Sequence, residues 1–151
     1  MNVFSGLHID MPEKYKEYFH AFCLTRHDGS VNSPENSPFP RMVDMWFAAL
    51  CIAVNKGLDP ITIGSEKTYK AIECNVLDDG WRSNALTLLS ITHTGSIDVI
   101  DKPHDMLRIA NSYAIAGLPV LIDILENRSG DCALDHLSEY LVDLTEENTY
   151  N

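Results

Sequence analysis

The chain has 151 residues, with 11 Lys and Arg against 22 Asp and Glu, a formal charge of -11 with histidine neutral. Its 45% apolar content supports a packed core, and its length matches the roughly 100–150 residues at which single domains cluster, so global disorder is excluded. No run of about 18 apolar residues occurs, which speaks against a membrane span. The acidic balance argues against nucleic acid or an anionic membrane as a direct ligand, because phosphate binding rests on clustered Lys and Arg.

The N-terminal residues carry no basic segment, apolar run or small-residue cleavage site of a secretory signal, which points to the cytoplasm. Cys23, Cys51, Cys74 and Cys132 are widely spaced with no C-x-x-C, so reduced thiols are expected rather than a zinc ribbon or redox pair. Cys51 lies within AALCIAV and reads as a buried small hydrophobe.

In chain order, residues 12–24 predict a first helix with Pro12 at its start and Tyr15, Tyr18, Phe19 and Phe22 on one face. Residues 26–40, RHDGSVNSPENSPFP, read as a flexible loop whose serine–proline pairs block helix and sheet. Phe39, between two prolines, is its candidate docking residue. Residues 41–56 are apolar nearly all round and predict a central core helix, closed by Gly57 and Pro60. Residues 61–64 read as a connector. Ser65 then caps a helix over about 66–75, with Tyr69, Ile72 and Val76 on its buried side.

Asp78, Asp79 and Gly80 read as a break and cap. Helix 81–92 follows, with Trp81, Ala85, Leu88 and Leu89 as its apolar stripe. Residues 97–101 predict a 3₁₀ turn. A helix over 103–116 closes at Gly117, and Pro119 starts a separate element through Asn127. Asp131 opens a last helix to about Leu144, with Leu134, Leu137, Leu141 and Leu144 as its stripe, and the tail 145–151 frays. The expected class is all-α, a single domain over 1–151 of six to seven helices.

No Walker loop, G-x-G-x-x-G, H-E-x-x-H, EF-hand loop or G-x-S-x-G is present, so neither catalytic residues nor cofactor or metal ligands are assigned. His27-Asp28 and His104-Asp105 are His-Asp dipeptides, but the first runs into a turn and the second into a helix start. His20 and Cys23 stand one turn apart, and two ligands do not define a metal site. His93 reads as a helix-end residue satisfying carbonyls.

The most specific charge feature is C-terminal. Asp123 to Glu147 holds eight acids and one base, Arg128. Asp131, Asp135, Glu139 and Asp143 recur every four residues, where like charges cost a helix roughly 0.2–0.5 kcal/mol per pair. A solvated face is the plain explanation. A docking face for a basic protein partner is the functional one.

Two stretches, PFPRMVDMWFAALCIAVNKGLDP (38–60) and MLRIANSYAIAGLPVLIDIL (106–125), carry a resemblance. Through Phe39, Ala48, Ala49 and Gly57, and then Ile109, Ala110, Asn111, Ala114, Gly117 and Leu118, the chain resembles small helical accessory proteins encoded beside bacterial DNA-phosphorothioation (Dnd) modification and restriction genes. The resemblance spans about 40 residues. It implies a prokaryotic DNA-modification or anti-phage setting, and transfers no site, since the matching residues are packing residues.

The first functional reading is a non-enzymatic accessory subunit of a bacterial complex. It would bind a basic protein through Phe39, Asp131, Asp135, Glu139 and Asp143, with no direct nucleic acid and no membrane. The alternatives are an acidic DNA mimic that occupies a basic groove, and a hydrolase using His93, or His104 with Asp105. The apolar 41–56 helix is expected to be core first, and a homo-oligomer contact second.

Overall fold

The computed structural model describes residues 2–24, 32–77, 80–127 and 129–149. Five α-helices are described: α1 (Lys16–Phe22), α2 (Met42–Asn55), α3 (Trp81–Thr94), α4 (Pro103–Glu126) and α5 (Ala133–Thr149). Strands β1 (His8–Pro12) and β2 (Thr68–Glu73) form a two-stranded antiparallel sheet. The protein is therefore mostly helical but not all-α, with five α-helices among the described residues rather than the six or seven expected.

The sheet replaces two expected helical segments. Pro12 ends β1 instead of opening a helix, and a 3₁₀ turn at Glu13–Tyr15 leads into the shorter α1. The residues expected as helix 66–75 form β2 and a 3₁₀ turn at Cys74–Leu77. Pairing runs from His8 opposite Glu73 to Pro12 opposite Thr68, with an irregularity between Ile9 and Asp10. There Ala71 and Ile72 are buried in succession. In β1, Ile9 and Met11 are buried while His8 and Asp10 face outward, the two-residue alternation of a half-buried strand. The connector over 61–64 and the 3₁₀ turn at Ile97–Asp101 match the expectations.

Helices α2 and α4 form the centre of the molecule. α2 buries Val43, Met45, Trp46, Ala49, Leu50, Ile52 and Ala53. Its N-terminus is capped by the Asp44 carboxylate, which accepts from the Arg41 backbone N–H at 3.0 Å, satisfying a donor with no partner inside the helix. Gly57 (φ +63°) follows the last turn in the left-handed conformation that terminates many helices.

The expected break at Gly117–Pro119 is absent. α4 runs unbroken for 24 residues through both. Gly117 is a contact residue: a Cβ there would stand 1.8 Å from the Ala49 carbonyl oxygen. Only a residue without a side chain lets the two backbones come this close. Pro119 lies on the exposed side of α4, and its ring removes the N–H that would otherwise bond the Ile115 carbonyl. α4 is long and apolar enough to span a bilayer, with a mean hydropathy of 1.4 over 18 residues, yet 67% of that window is buried within the protein. It is a core helix wrapped by its own chain.

One polar contact ties this core to the sheet. Trp46 Nε1 donates to Asn111 Oδ1 at 3.0 Å, and Asn111 Nδ2 donates to the Asp10 carbonyl at 2.7 Å. The buried amide thus satisfies the indole and a strand carbonyl together. A single apolar cluster gathers side chains from Phe4 to Tyr140, drawing on all five helices and both strands.

Candidate functional site

The sequence-predicted docking residues separate. Phe39 is buried, 7% exposed. Its backbone N–H donates to the Phe22 carbonyl at 3.2 Å, and its carbonyl accepts from Leu24 at 2.7 Å. Phe39 is thus a core residue, and the expectation that it presents itself to a partner is corrected. A benzyl side chain flanked by prolines gains more by joining Phe22 and Trp46 in the apolar cluster than by standing in water. The neighbouring Ser37 is also buried and donates to the Ala21 carbonyl at 2.6 Å. Positions 26–31 of the predicted loop, with His27 and Asp28, lie outside the described residues, as do Asp78 and Asp79.

The carboxylates, by contrast, share one outer surface. Asp131, Asp135 and Asp143 are exposed and Glu139 is half-buried, with its carboxylate accepting from Ser129 Oγ at 3.2 Å. α5 continues to Thr149, so the expected fraying from residue 145 gives way to a further helical turn carrying Glu146 and Glu147. Among Ala133–Thr149 there are five acids and no Lys or Arg.

The apolar stripes of α3 and α5 face the core only in part: Leu89, Leu137 and Leu144 are half-buried against it. α5 buries Ala133, His136 and Tyr140. Its leucine stripe lies roughly 90° further round the helix, at 3.6 residues per turn. Leu134 and Leu141 stay 38% and 51% exposed. In α3 the buried residues are Arg82, Leu86 and Ser90, whereas Trp81 and Leu88 are 55% and 65% exposed. That stripe is turned about 115° from the core-facing side. Arg82 takes the inner position because its guanidinium pairs with the Asp44 carboxylate and lies 4.2 Å from the centre of the Trp81 ring, a cation–π placement.

Both stripes border α2. Between α2 and α5 runs a groove of about 310 Å³, lined by Ala48, Ile52, Leu121, Leu137, Leu141 and neighbours. Between α2 and α3 runs a second, of about 520 Å³, lined by Phe47, Leu50, Val54, Ala85 and Leu88 among others. Cys51 and Asn55 line both grooves, so they form the ridge between them. Neither lining contains an Asp, Glu, Lys or Arg side chain. Cys51 is exposed rather than buried, a correction, although the apolar walls around it hold its thiol pKa above the ordinary value.

The titratable residues singled out from sequence are dispersed. The His93 ring Nδ1 is 3.0 Å from the Tyr113 hydroxyl, edge-on to its ring. Asp105 accepts from Arg108 at 2.9 Å. Cys23 is buried with its sulfur 3.9 Å from that of Met45, and burial pushes its thiol pKa up to about 12, which makes it a poor nucleophile or ligand at neutral pH. Among the described residues no group of three or more His, Cys, Asp or Glu side chains is arranged to hold a metal. A polar cleft of about 190 Å³ collects His8, Asp10, His104, Arg108 and Asn111. Its charges are engaged within the protein: His8 lies 3.4 Å from Asp10, and Arg108 pairs with Asp105.

One functional-looking residue escaped sequence reading. His136 is buried at 8% exposure. Its Nδ1 lies 2.5 Å from the Leu125 carbonyl and its Nε2 2.7 Å from the Gly130 carbonyl. Two carbonyls can be satisfied together only by two ring N–H donors, the imidazolium form. Those backbone contacts raise its pKa, with Glu139 and Asp135 adding to the effect against the desolvation that lowers it. The ring thereby pins α5 to the end of α4 and to the turn between them. No motif marks this, since both acceptors are backbone atoms.

Comparison with protein-family models, with curated proteins and with solved structures finds no match to this chain.

Proposed function

We propose that the chain is a non-catalytic interaction subunit of a larger bacterial assembly, and that α5 docks a basic protein. The observation that carries this is the outer surface of α5, where Asp135, Glu139 and Asp143 rise one turn apart. Three like charges in line weaken the helix that carries them. A complementary basic surface removes that repulsion, speeds encounter and rejects acidic competitors. The resemblance of residues 38–60 and 106–125 to Dnd-associated accessory proteins supports a DNA-modification or defence setting.

The test is a pull-down from the native host, comparing the chain with its D135K/E139K/D143K variant. All three positions lie outside the core, so the variant is expected to keep the native circular dichroism spectrum. A basic protein retained by the parent and lost by the folded variant supports the reading. Equal retention by both refutes it. If the captured protein binds DNA and DNA displaces it at low salt, the subunit acts by occupying that DNA-binding groove.

A further inference from the structure

α5 is held to the body of the protein by few buried groups. Ala133, His136 and Tyr140 are the only buried residues among its 17, whereas α4 buries 15 of 24. Leu137 and Leu144 are half-buried beside an open groove. An element with so little apolar burial opens before the domain as a whole unfolds. One of its three buried anchors is polar and titratable.

The geometry around that anchor discriminates between its two protonation states. His136 Nδ1 lies against the Leu125 carbonyl and Nε2 against the Gly130 carbonyl. The Leu125 carbonyl belongs to the last turn of α4, where carbonyls have no donor within the helix and the negative end of the dipole favours a cation. An imidazolium donates to both carbonyls. A neutral imidazole has one N–H, so in either tautomer the other nitrogen turns a lone pair toward a carbonyl oxygen. A buried acceptor left without its donor destabilises the arrangement that buries it. Water has little room to replace the lost donor. A Cβ on Gly130 would stand 3.2 Å from His136 Cδ2 and 2.7 Å from Asp135 Cβ, so the turn lies directly on the ring.

The charged groups acting on the ring sit on α5 itself, Glu139 first and then Asp135. α4 and the turn face it with carbonyls, and the acids in the last turn of α4, Asp123 and Glu126, are exposed. The Cys132 carbonyl accepts the His136 backbone N–H at 3.0 Å. From the loop before α2, Glu35 meets α5 through its backbone carbonyl, which accepts from Leu134 at 2.9 Å. From the end of α2, Lys56 Nζ lies 6.0 Å from the centre of the Tyr140 ring, one turn beyond His136. The two backbone carbonyls, with the two carboxylates, hold the docked ring's pKa above that of a free histidine, against desolvation.

We propose that His136 is a proton-operated latch: docked α5 holds a proton on this ring that released α5 gives up, so rising pH frees α5 from α4 while the rest of the domain stays folded. Release uncovers side chains beneath α5, among them Ala48, Ile52 and Leu121, and separates the carboxylate row from the body of the protein. The latch is independent of whether a basic protein binds α5.

Residue-level hydrogen exchange on the full chain between about pH 5.5 and 9 tests it, with rates expressed as protection factors to remove the intrinsic effect of pH. Protection in α5 is expected to fall by up to about tenfold per pH unit above the free-histidine value of about 6.5, since opening releases one proton. α2 and α4 are expected to stay protected. Nitrogen NMR of the ring is expected to find both nitrogens protonated to a higher pH than in a histidine peptide. Glu139→Gln is expected to move that ring titration to lower pH, which a merely packed ring would not show. His136→Asn cannot gain a charge, and its α5 protection is expected to be low and flat with pH, with α2 and α4 protected as in the parent.

Unchanged α5 protection across the range overturns the latch. So does loss of protection in α2, α4 and α5 together, either in the parent or in His136→Asn, because opening is then global. A ring that titrates at or below the histidine peptide overturns it as well, and this reading needs no variant.

Discussion

Replacing Gly117 by alanine adds one methyl group where α4 crosses α2. In the middle of an exposed helix the same change stabilises, by roughly 1 kcal/mol of helix propensity. Here the new Cβ would stand 1.8 Å from the Ala49 oxygen and 2.7 Å from its carbonyl carbon. Both obstructing atoms are backbone, so no rotamer change relieves the clash. The helices must separate by about 1.5 Å to restore ordinary contact. A gap of 0.5–1 Å already forfeits a quarter to a half of the dispersion energy between facing atoms. The residues that lose contact include the wholly buried Trp46, Leu118 and Leu121. Overpacking of this kind typically costs 1–3 kcal/mol, and a clash with rigid backbone belongs at the upper end; set against the propensity gain, a net loss of about 2 kcal/mol is expected.

For a chain of this length that lowers Tm by roughly 4–8 °C. Urea and thermal unfolding followed by circular dichroism measure it. Two positions on, Pro119→Ala has the opposite expected sign. It returns an N–H donor to the interior of α4 on the exposed side and should stabilise by about 1–3 kcal/mol. A Gly117→Ala variant as stable as the parent would refute the close crossing. A destabilised Pro119→Ala would refute the continuous helix.

Asn111→Ala is expected to cost about 2–3 kcal/mol, because it leaves the buried Trp46 indole N–H without its partner and removes the bond to the Asp10 carbonyl; urea midpoints measure this, and a loss under about 0.5 kcal/mol would remove the amide bridge from the account. His136 sets a pH dependence. Its pKa is raised in the folded chain, so its contribution is fully present below the unfolded histidine value of about 6.5 and is lost as pH rises through the higher folded value. Stability should therefore fall as pH rises above that unfolded value, and amide exchange in α5 should accelerate there first. His136→Asn should flatten that profile; an unchanged profile in the variant would show that another group titrates.

The helices most legible in the sequence were those whose signals are local. The apolar content of residues 42–55 marks α2 as core whatever packs against it, and the 3₁₀ turn at 97–101 follows from its flanking cap and proline. The sheet was not legible. β1 and β2 pair residues about 60 positions apart, and Tyr69 and Ile72 of the bulged strand, with Val76 in the turn after it, also satisfy a helical spacing. The carboxylate row could be read directly, because an i+4 repeat on a helix stays an i+4 repeat in three dimensions. The part assigned to Phe39 could not, since its burial depends on the segment from Phe22 to Leu24 pairing with it.

The sequence by itself determined a mostly helical chain, a core helix at 42–55, and an acidic surface on α5, because composition and period act within a few residues. Tertiary structure alone decided that Gly117 is a crossing point and not a helix end, since the same missing side chain serves either purpose. It also decided which side of each amphipathic helix faces inward. Periodicity locates an apolar stripe but not the neighbour that covers it. In α3 and α5 the neighbours bury Arg82, Leu86, His136 and Tyr140, and Leu88 and Leu141 are left on the surface.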